Sequence, residues 1–350
     1  MSKAGNRFNQ LKKQRENRLA GKHTVIPFSQ HFPKLSKYIP GIFREAIFGI
    51  LAGSGDGKTK LTKYLTIIVP YLLSKSHGIK FKTIYFALEE SEEEFIDHLT
   101  LLLLNERYGI EIDYHDLNSY REDLISEEVM KKMYSLAPEV DEIMSHVYIH
   151  DDISHPTGMY MKCREYAEQW GTMENGKYIP HDDEEFVLVV CDHVSLISKE
   201  YDSKLKQTLN KHEALAKWST EYCLKVITKK FKWTVFNVQQ TTMTSEGSEK
   251  KKMNTLEPSP EDLATNKELY RDMKVLLALF SPFKNKIADY RGYKIASKGG
   301  TGLRDSYRNL GILKNRYGPP GINIGLHFNG ATGKYTELDL KNQEKYFIKN

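Results

Sequence analysis

Residues Ala52 to Lys60 read AGSGDGKTK, and Gly57, Lys58 and Thr59 complete the spacing A-x-x-x-x-G-K-T. Glycines at this density let successive backbone amides curl round a phosphate without Cβ clashes. A lysine in this place reaches the β- and γ-phosphates of a nucleoside triphosphate, and the threonine hydroxyl after it ligates Mg²⁺. The segment Gly53, Ser54, Gly55, Asp56, Gly57, Lys58, Thr59 and Lys60 is therefore predicted to cradle ATP with Mg²⁺. Asp56 is the discordant member, since a carboxylate beside phosphates repels them unless it points outward.

Two further acids stand where such a cradle needs them. Asp192 closes the apolar run FVLVVC, and ligands of open α/β sheets bind at the carboxyl ends of strands. An aspartate there holds Mg²⁺ through water; the plainer alternative is a helix cap. Glu89 directly follows the run TIYFAL, where a carboxylate faces the γ-phosphate and polarises a water as general base. Glu90 is the second choice for that role. Glu90, Glu92, Glu93 and Glu94 also read as first-turn acids of the next helix, favoured by its dipole.

These residues need strands and helices to position them. AIFGIL (46–51), TIYFAL (83–88), FVLVVC (186–191), TVFNV (234–238) and KVLLALF (274–280) read as strands, the first three as parallel-sheet strands buried on both faces. Helical spacing joins Leu61, Tyr64, Leu65 and Ile68, then Cys163, Tyr166, Ala167 and Trp170, then Leu215, Trp218, Tyr222 and Val226. Alternation of the two predicts an α/β domain with a mostly parallel central sheet flanked by helices. NLGIL (309–313) and INIGLHF (322–328) flank GPPG and predict a C-terminal antiparallel hairpin at the sheet edge. Residues 171–185 read as a surface insertion, 241–260 as a long mobile loop, and 283–308 as a further stretch with several basic and glycine residues.

A chain of 350 residues, 40% hydrophobic and 28% charged, buries a substantial core. Its apolar runs are too short to span a bilayer, and its N-terminus lacks the apolar stretch of a signal peptide. Cys163, Cys191 and Cys223 are odd in number and far apart, which fits a reducing cytoplasm. His150 and His181, each beside two aspartates, read as loop residues rather than metal ligands. The net charge is +5, yet residues 1–22 hold seven basic side chains against Glu16, so the remainder is nearly neutral. Such an arm either touches a polyanion or is a solvated tail.

Taken in order, the phosphate loop, LEES, the strand-end aspartate, VQQTT and KNRYGPPG resemble the C-terminal motor domain of DnaB-type replicative helicases, within the RecA-like P-loop ATPases. CDHVSLI is similar to the version found in phage helicase-primases, and the resemblance spans roughly residues 30–338. It implies that Gln240, in preference to Gln239, senses the γ-phosphate, and that Lys314 and Arg316 reach the ATP of a neighbouring subunit. It implies a homo-oligomer, a hexameric ring, that tracks single-stranded DNA in replication, with a loader or primase as partner. The setting it implies is the cytoplasm of a bacterium or of a phage-infected cell. Channel lysines are expected in 199–212 (Lys204, Lys206) and 244–267 (Lys250, Lys251, Lys252, Lys267), although a lysine run also suits a solvated face. The expected division is a basic arm and linker (1–40), the motor (41–340) and a tail (341–350). DnaB proteins carry a helical domain, and phage helicase-primases a primase, ahead of the motor; here residues 7–18 are expected to form the linker helix that packs on the adjacent subunit. Two other readings share the cradle: a RecA-like recombinase or recombination mediator forming an open filament, and a non-translocating ATPase of the helicase-loader type.

Overall fold

The computed structural model describes residues 2–174, 176–241, 256–263, 267–296 and 300–348. Among these residues the central sheet has nine strands. Six run parallel: β1 (Ile47–Ala52), β2 (Phe81–Ala87), β3 (Val147–His150), β4 (Phe186–Asp192), β5 (Thr234–Gln240) and β6 (Val275–Phe280). Three extend one edge antiparallel: β7 (Tyr307–Asn315), β8 (Ile322–Phe328) and β9 (Tyr335–Glu337). The spatial order is β9-β8-β7-β6-β1-β5-β4-β2-β3. The apolar runs thus form the mostly parallel sheet and the C-terminal hairpin expected of them. β3 and β9 lacked a sequence signal because β3 is a half-buried edge strand and β9 has three residues.

Every residue of β1 and β4 is buried, which explains their unbroken apolar sequence. One sheet face, with Phe48, Ile50, Tyr85, Val190, Phe236 and Val238, packs on Leu61, Tyr64, Leu65 and Ile68. The other, with Ile47, Leu51, Phe86, Val189 and Val235, packs on Cys163, Ala167, Trp218 and Cys223. The valine, leucine, isoleucine and phenylalanine side chains among them contribute about 1.5–3 kcal/mol each when fully buried.

The main helices are α1 (Lys3–Leu19), α2 (Lys58–Lys63, continuing through Tyr64–Ile68 and Val69–His77), α3 (Glu92–Tyr108), α4 (Glu127–Met144), α5 (Pro156–Trp170), α6 (Lys211–Ala216, continuing through Lys217–Thr228) and α7 (Lys267–Asp272). The middle of α2 is π-helical just before Pro70. Proline has no N–H to return to the Thr66 carbonyl. The Thr83 hydroxyl of β2 donates to that carbonyl instead, at 2.9 Å, which ties α2 to the sheet. A capping box starts α3: the Ser91 hydroxyl accepts from the Glu94 amide and the Glu94 carboxylate accepts from the Ser91 amide.

The predicted N-terminal helix is present as α1, with no buried residue and with Phe8, Leu11 and Leu19 exposed. The segment after it joins the body of the fold. Val25–Pro27 pairs with Gly41–Phe43, and Phe28, Phe32, Leu35 and Ile39 are buried in the larger core. Of the insertions, 171–185 folds back as a ribbon, Gly171–Glu174 with Lys177–Pro180. Most of 241–260 lies outside the described residues. No helix among the described residues is long and apolar enough to cross a membrane.

Candidate active site

The carboxyl ends of β1, β5, β4 and β2 are aligned, Ala52 opposite Gln240 and Ala87 opposite Asp192. Whatever follows each strand therefore meets at one edge. The loop Gly53–Gly57 leaves β1 there and turns into α2 at Lys58. A cleft of about 480 Å³ opens over it, lined by Gly55, Gly57, Lys58, Thr59, Lys60, Glu89, Asp192 and Arg308 among others. Gly57 has φ 96°, and a Cβ on it would lie 2.2 Å from the Tyr335 hydroxyl. That hydroxyl donates to the Gly57 carbonyl at 2.9 Å, so β9 braces the loop from behind.

Lys58 is buried at the foot of the cleft, its Nζ 3.3 Å from Glu89 Oε2. Glu89 is half exposed. His193 Nε2 lies 3.6 Å from the same carboxylate oxygen, and burial together with Lys58 brings the imidazole down to about 4. Asp192 is 2% exposed. The Tyr85 hydroxyl donates to its Oδ2 at 2.9 Å, whereas its buried Oδ1 has no hydrogen-bond partner among the described residues. Burial raises this carboxyl to about 6, against the Thr59 and Tyr85 hydroxyls, which favour the charged form. An orphaned carboxylate oxygen beside a threonine hydroxyl at a helix N-terminus fits a hydrated divalent cation.

Asp56 points away from the cradle. Its carboxylate is 3.0 Å from Lys284 Nζ, which also donates to the Ser54 carbonyl at 2.8 Å. The discordant acid thus clamps the loop to the segment after β6. Lys60 also lines the cleft, and burial, then Lys63, lower its ammonium to about 8. Arg308, at the start of β7, is 1% exposed. Its Nε donates to the Asp56 carbonyl at 2.8 Å, and its guanidinium lies over the Phe328 ring at 4.7 Å.

The two neighbouring glutamates have different surroundings. Glu90 is largely shielded, its side chain 11% exposed, 2.7 Å from Lys63 of α2 and 3.4 Å from His98 of α3. Burial pushes its carboxyl up, but hydrogen bonds from His98 and Lys63 outweigh this and hold it below the usual carboxylate range. Burial draws the Lys63 ammonium down, against the pull of Glu90. Glu89 is the one that faces Lys58. The Gln239 amide donates to the Ser195 hydroxyl at 2.7 Å and to the Gln240 carbonyl at 2.8 Å. Gln240 alternates with it along β5, on the side of Phe236 and Val238 that carries α2.

No family model matches the chain, and no curated protein matches it in sequence. Solved structures do. One described as the ATPase domain of G40P aligns with a TM-score of 0.69 at 17% identity, over 97% of this chain and all of that one. Another, of a DnaB-like replicative helicase and its interactions with primase, gives 0.66 at 17% identity, over 94% of this chain and 68% of that one. The chain shares its fold with these ATPase domains, a RecA-like arrangement.

Within that RecA-like fold Lys314, Arg316, Lys204 and Lys206 lie away from the cleft. Asn315, which ends β7, is opposite Val275, and Val275 is opposite Phe48. Four residues of strand separate that row from Ala52, about 13 Å. Lys314 and Arg316 therefore sit at the opposite end of the sheet from their own cradle, beyond the reach of an arginine side chain. Arg316 Nη2 donates to the Arg271 carbonyl at 2.8 Å, and Lys314 Nζ reaches the same carbonyl at 3.3 Å. Lys204 and Lys206 are exposed on a ribbon, Tyr201–Asp202 with Gln207–Thr208, beside exposed Tyr201 and Leu205. Lys217 secures the ribbon through Glu200 and Asp202, both at 2.7 Å. Lys250, Lys251 and Lys252 lie outside the described residues; Lys267 begins α7.

Sequence reasoning missed Lys284, Arg308, His193, Tyr335 and the Lys63–Glu90–His98 cluster. Only His193 carried a local signal, its place directly after Asp192. Lys284, Arg308 and Tyr335 meet the site from segments remote in sequence, and the Lys63–Glu90–His98 cluster forms only when α2, the end of β2 and α3 pack together.

Proposed function

We propose that the chain is an ATP-driven translocase on single-stranded DNA, a DnaB-like replicative helicase that works as a homo-oligomeric, hexameric ring. The observation that carries this reading is a division of parts. Lys58, Thr59, Asp192 and Glu89 converge at one end of the sheet, while Lys314 and Arg316 stand at the other. A second copy, packed head to tail, would bring Lys314 and Arg316 to a triphosphate that they cannot reach in their own chain.

In this reading Lys58 binds the β- and γ-phosphates, and the loop amides and the N-terminus of α2 bind the remaining charge. Thr59 and Asp192 hold Mg²⁺, which neutralises phosphate charge when bound. Glu89, released from Lys58, orients and polarises the attacking water, and Gln240 registers the γ-phosphate. Arg316 and Lys314 of one copy serve the cradle of the next. Lys204, Lys206, Lys250, Lys251, Lys252 and Lys267 face the DNA backbone. A loader or primase is the expected partner, and the bacterial or phage-infected cytoplasm the expected setting.

The test is strand displacement on forked DNA with ATP and Mg²⁺, wild type against Lys58→Ala, with particle imaging of the same mixtures. Displacement by wild-type rings, absent in Lys58→Ala, supports the helicase. ATP hydrolysis with open filaments would move the assignment to a recombinase. Hydrolysis with neither rings nor displacement would leave a non-translocating ATPase.

A further inference from the structure

Among the described residues Glu89 has two charged or titratable neighbours, Lys58 at 3.3 Å and His193 at 3.6 Å. They differ in what happens to them when a triphosphate arrives. Lys58 is the cation the phosphates attract, so its contact with Glu89 is lost to the incoming charge. His193 is not part of the cradle and stays.

The backbone around this pair is rigid. His193 directly follows β4, whose seven residues are all buried between β5 and β2. The Leu88 amide donates to the Asp192 carbonyl at 2.9 Å, which locks together the residues that immediately precede Glu89 and His193. Glu89 itself stands on a bend with its carboxylate half exposed. A free glutamate there samples many rotamers, and a general base must be held within hydrogen-bond reach of its water. The His193 ring is buried, and its Nδ1 has no hydrogen-bond partner among the described residues, so none of these competes for the ring's orientation.

We propose that His193 is a positioning residue for Glu89: its Nε2–H holds the carboxylate in place once Lys58 has turned to the phosphates. This rests on reading Glu89 as the general base. The 3.6 Å separation closes to a hydrogen bond in the nucleotide complex, as catalytic contacts in empty sites commonly do. The ring acts through Glu89 and touches neither ATP nor the metal.

The experiment compares wild type, Glu89→Gln, His193→Ala, His193→Gln and the Glu89→Gln/His193→Ala double variant. Steady-state ATP hydrolysis, affinity for a non-hydrolysable ATP analogue and melting temperature are measured for each. His193→Ala is expected to lower kcat roughly ten- to a hundredfold with analogue affinity unchanged. His193→Gln, whose amide N–H can occupy the place of Nε2–H, should recover most of the rate. The double variant should be no slower than Glu89→Gln, since nothing is left to position. Should His193→Ala fold poorly, His193→Phe, of similar size and without a donor, takes its place. Unchanged kcat in His193→Ala, or a loss that multiplies that of Glu89→Gln, overturns the positioning role alone. Normal turnover by Glu89→Gln removes the general-base reading and this inference with it.

Discussion

The adjacent carboxylates Glu89 and Glu90 sit in different surroundings, and substitution should separate them. Glu89→Gln should leave ATP binding intact, because bound phosphates supply the counter-charge of Lys58, while kcat drops about 10²–10⁴-fold. Glu90→Gln strands the buried Lys63 ammonium without its counter-charge, a change that costs about 3–5 kcal/mol. It should lower the melting temperature first and turnover only as a consequence. If Glu90→Gln is stable and inactive while Glu89→Gln hydrolyses ATP, the roles are reversed. Asp192 makes a second case. Its carboxyl titrates near 6 in the fold, above an ordinary aspartate at 3.8, so the folded state prefers the protonated form. The associated stability is complete below about pH 4 and lost as pH rises through 6, at most about 3 kcal/mol at neutral pH. Asp192→Asn keeps an acceptor for Tyr85 and removes the buried charge. At pH 8 the nucleotide-free variant should melt above wild type, the gap should shrink toward pH 4, and Mg²⁺-dependent hydrolysis should be lost. A variant that melts below wild type at every pH contradicts this account of Asp192.

At the scale of elements, the phosphate loop is a short turn held from outside. Lys284 grips it through Ser54 and Asp56, Arg308 through the Asp56 carbonyl, and Tyr335 through Gly57. Three segments C-terminal to β5 thus shape a loop at the start of the core. Gly57→Ala puts a side chain at φ 96° and against the Tyr335 hydroxyl. The backbone strain alone is about 1–2 kcal/mol. Nucleotide affinity should fall at least tenfold. Pairing Gly57→Ala with Tyr335→Phe, which frees some space, should recover part of it in a titration with an ATP analogue. No recovery would mean that the positive φ, rather than the contact with β9, sets the requirement for glycine.

For the whole molecule the decisive question is whether one copy completes the site of another. Arg316→Ala should bind ATP nearly as wild type and lose turnover by about 10³-fold or more. Mixed with Lys58→Ala it should regain part of that rate, because one subunit brings the intact cradle and the other the intact arginine. Lack of rescue in assemblies proven to contain both variants would assign Arg316 a local role at the carbonyl end of α7, where its side chain donates to Arg271.

The strand–loop–helix core was legible in the sequence because its signals are local. A loop that wraps phosphate must be glycine-rich, a doubly covered strand must be apolar throughout, and an acid at its end stands out against that run. AGSGDGKTK, FVLVVCD and TIYFALE each carry this within ten residues. The antiparallel hairpin was readable for the same reason, since GPPG separates two apolar runs. What depended on packing is long-range. Nothing near Asp56 in the chain signals that Lys284 neutralises it, and nothing near Glu90 signals that Lys63 and His98 claim it. Nor does Arg308 announce that it passes beneath a loop 252 residues earlier. The distance of Arg316 from its own cradle follows from strand order and register, which arise when β6 and β7 pair beside β1. Local propensity sets which elements form; burial of both sheet faces sets their order, and that order sets which charges meet.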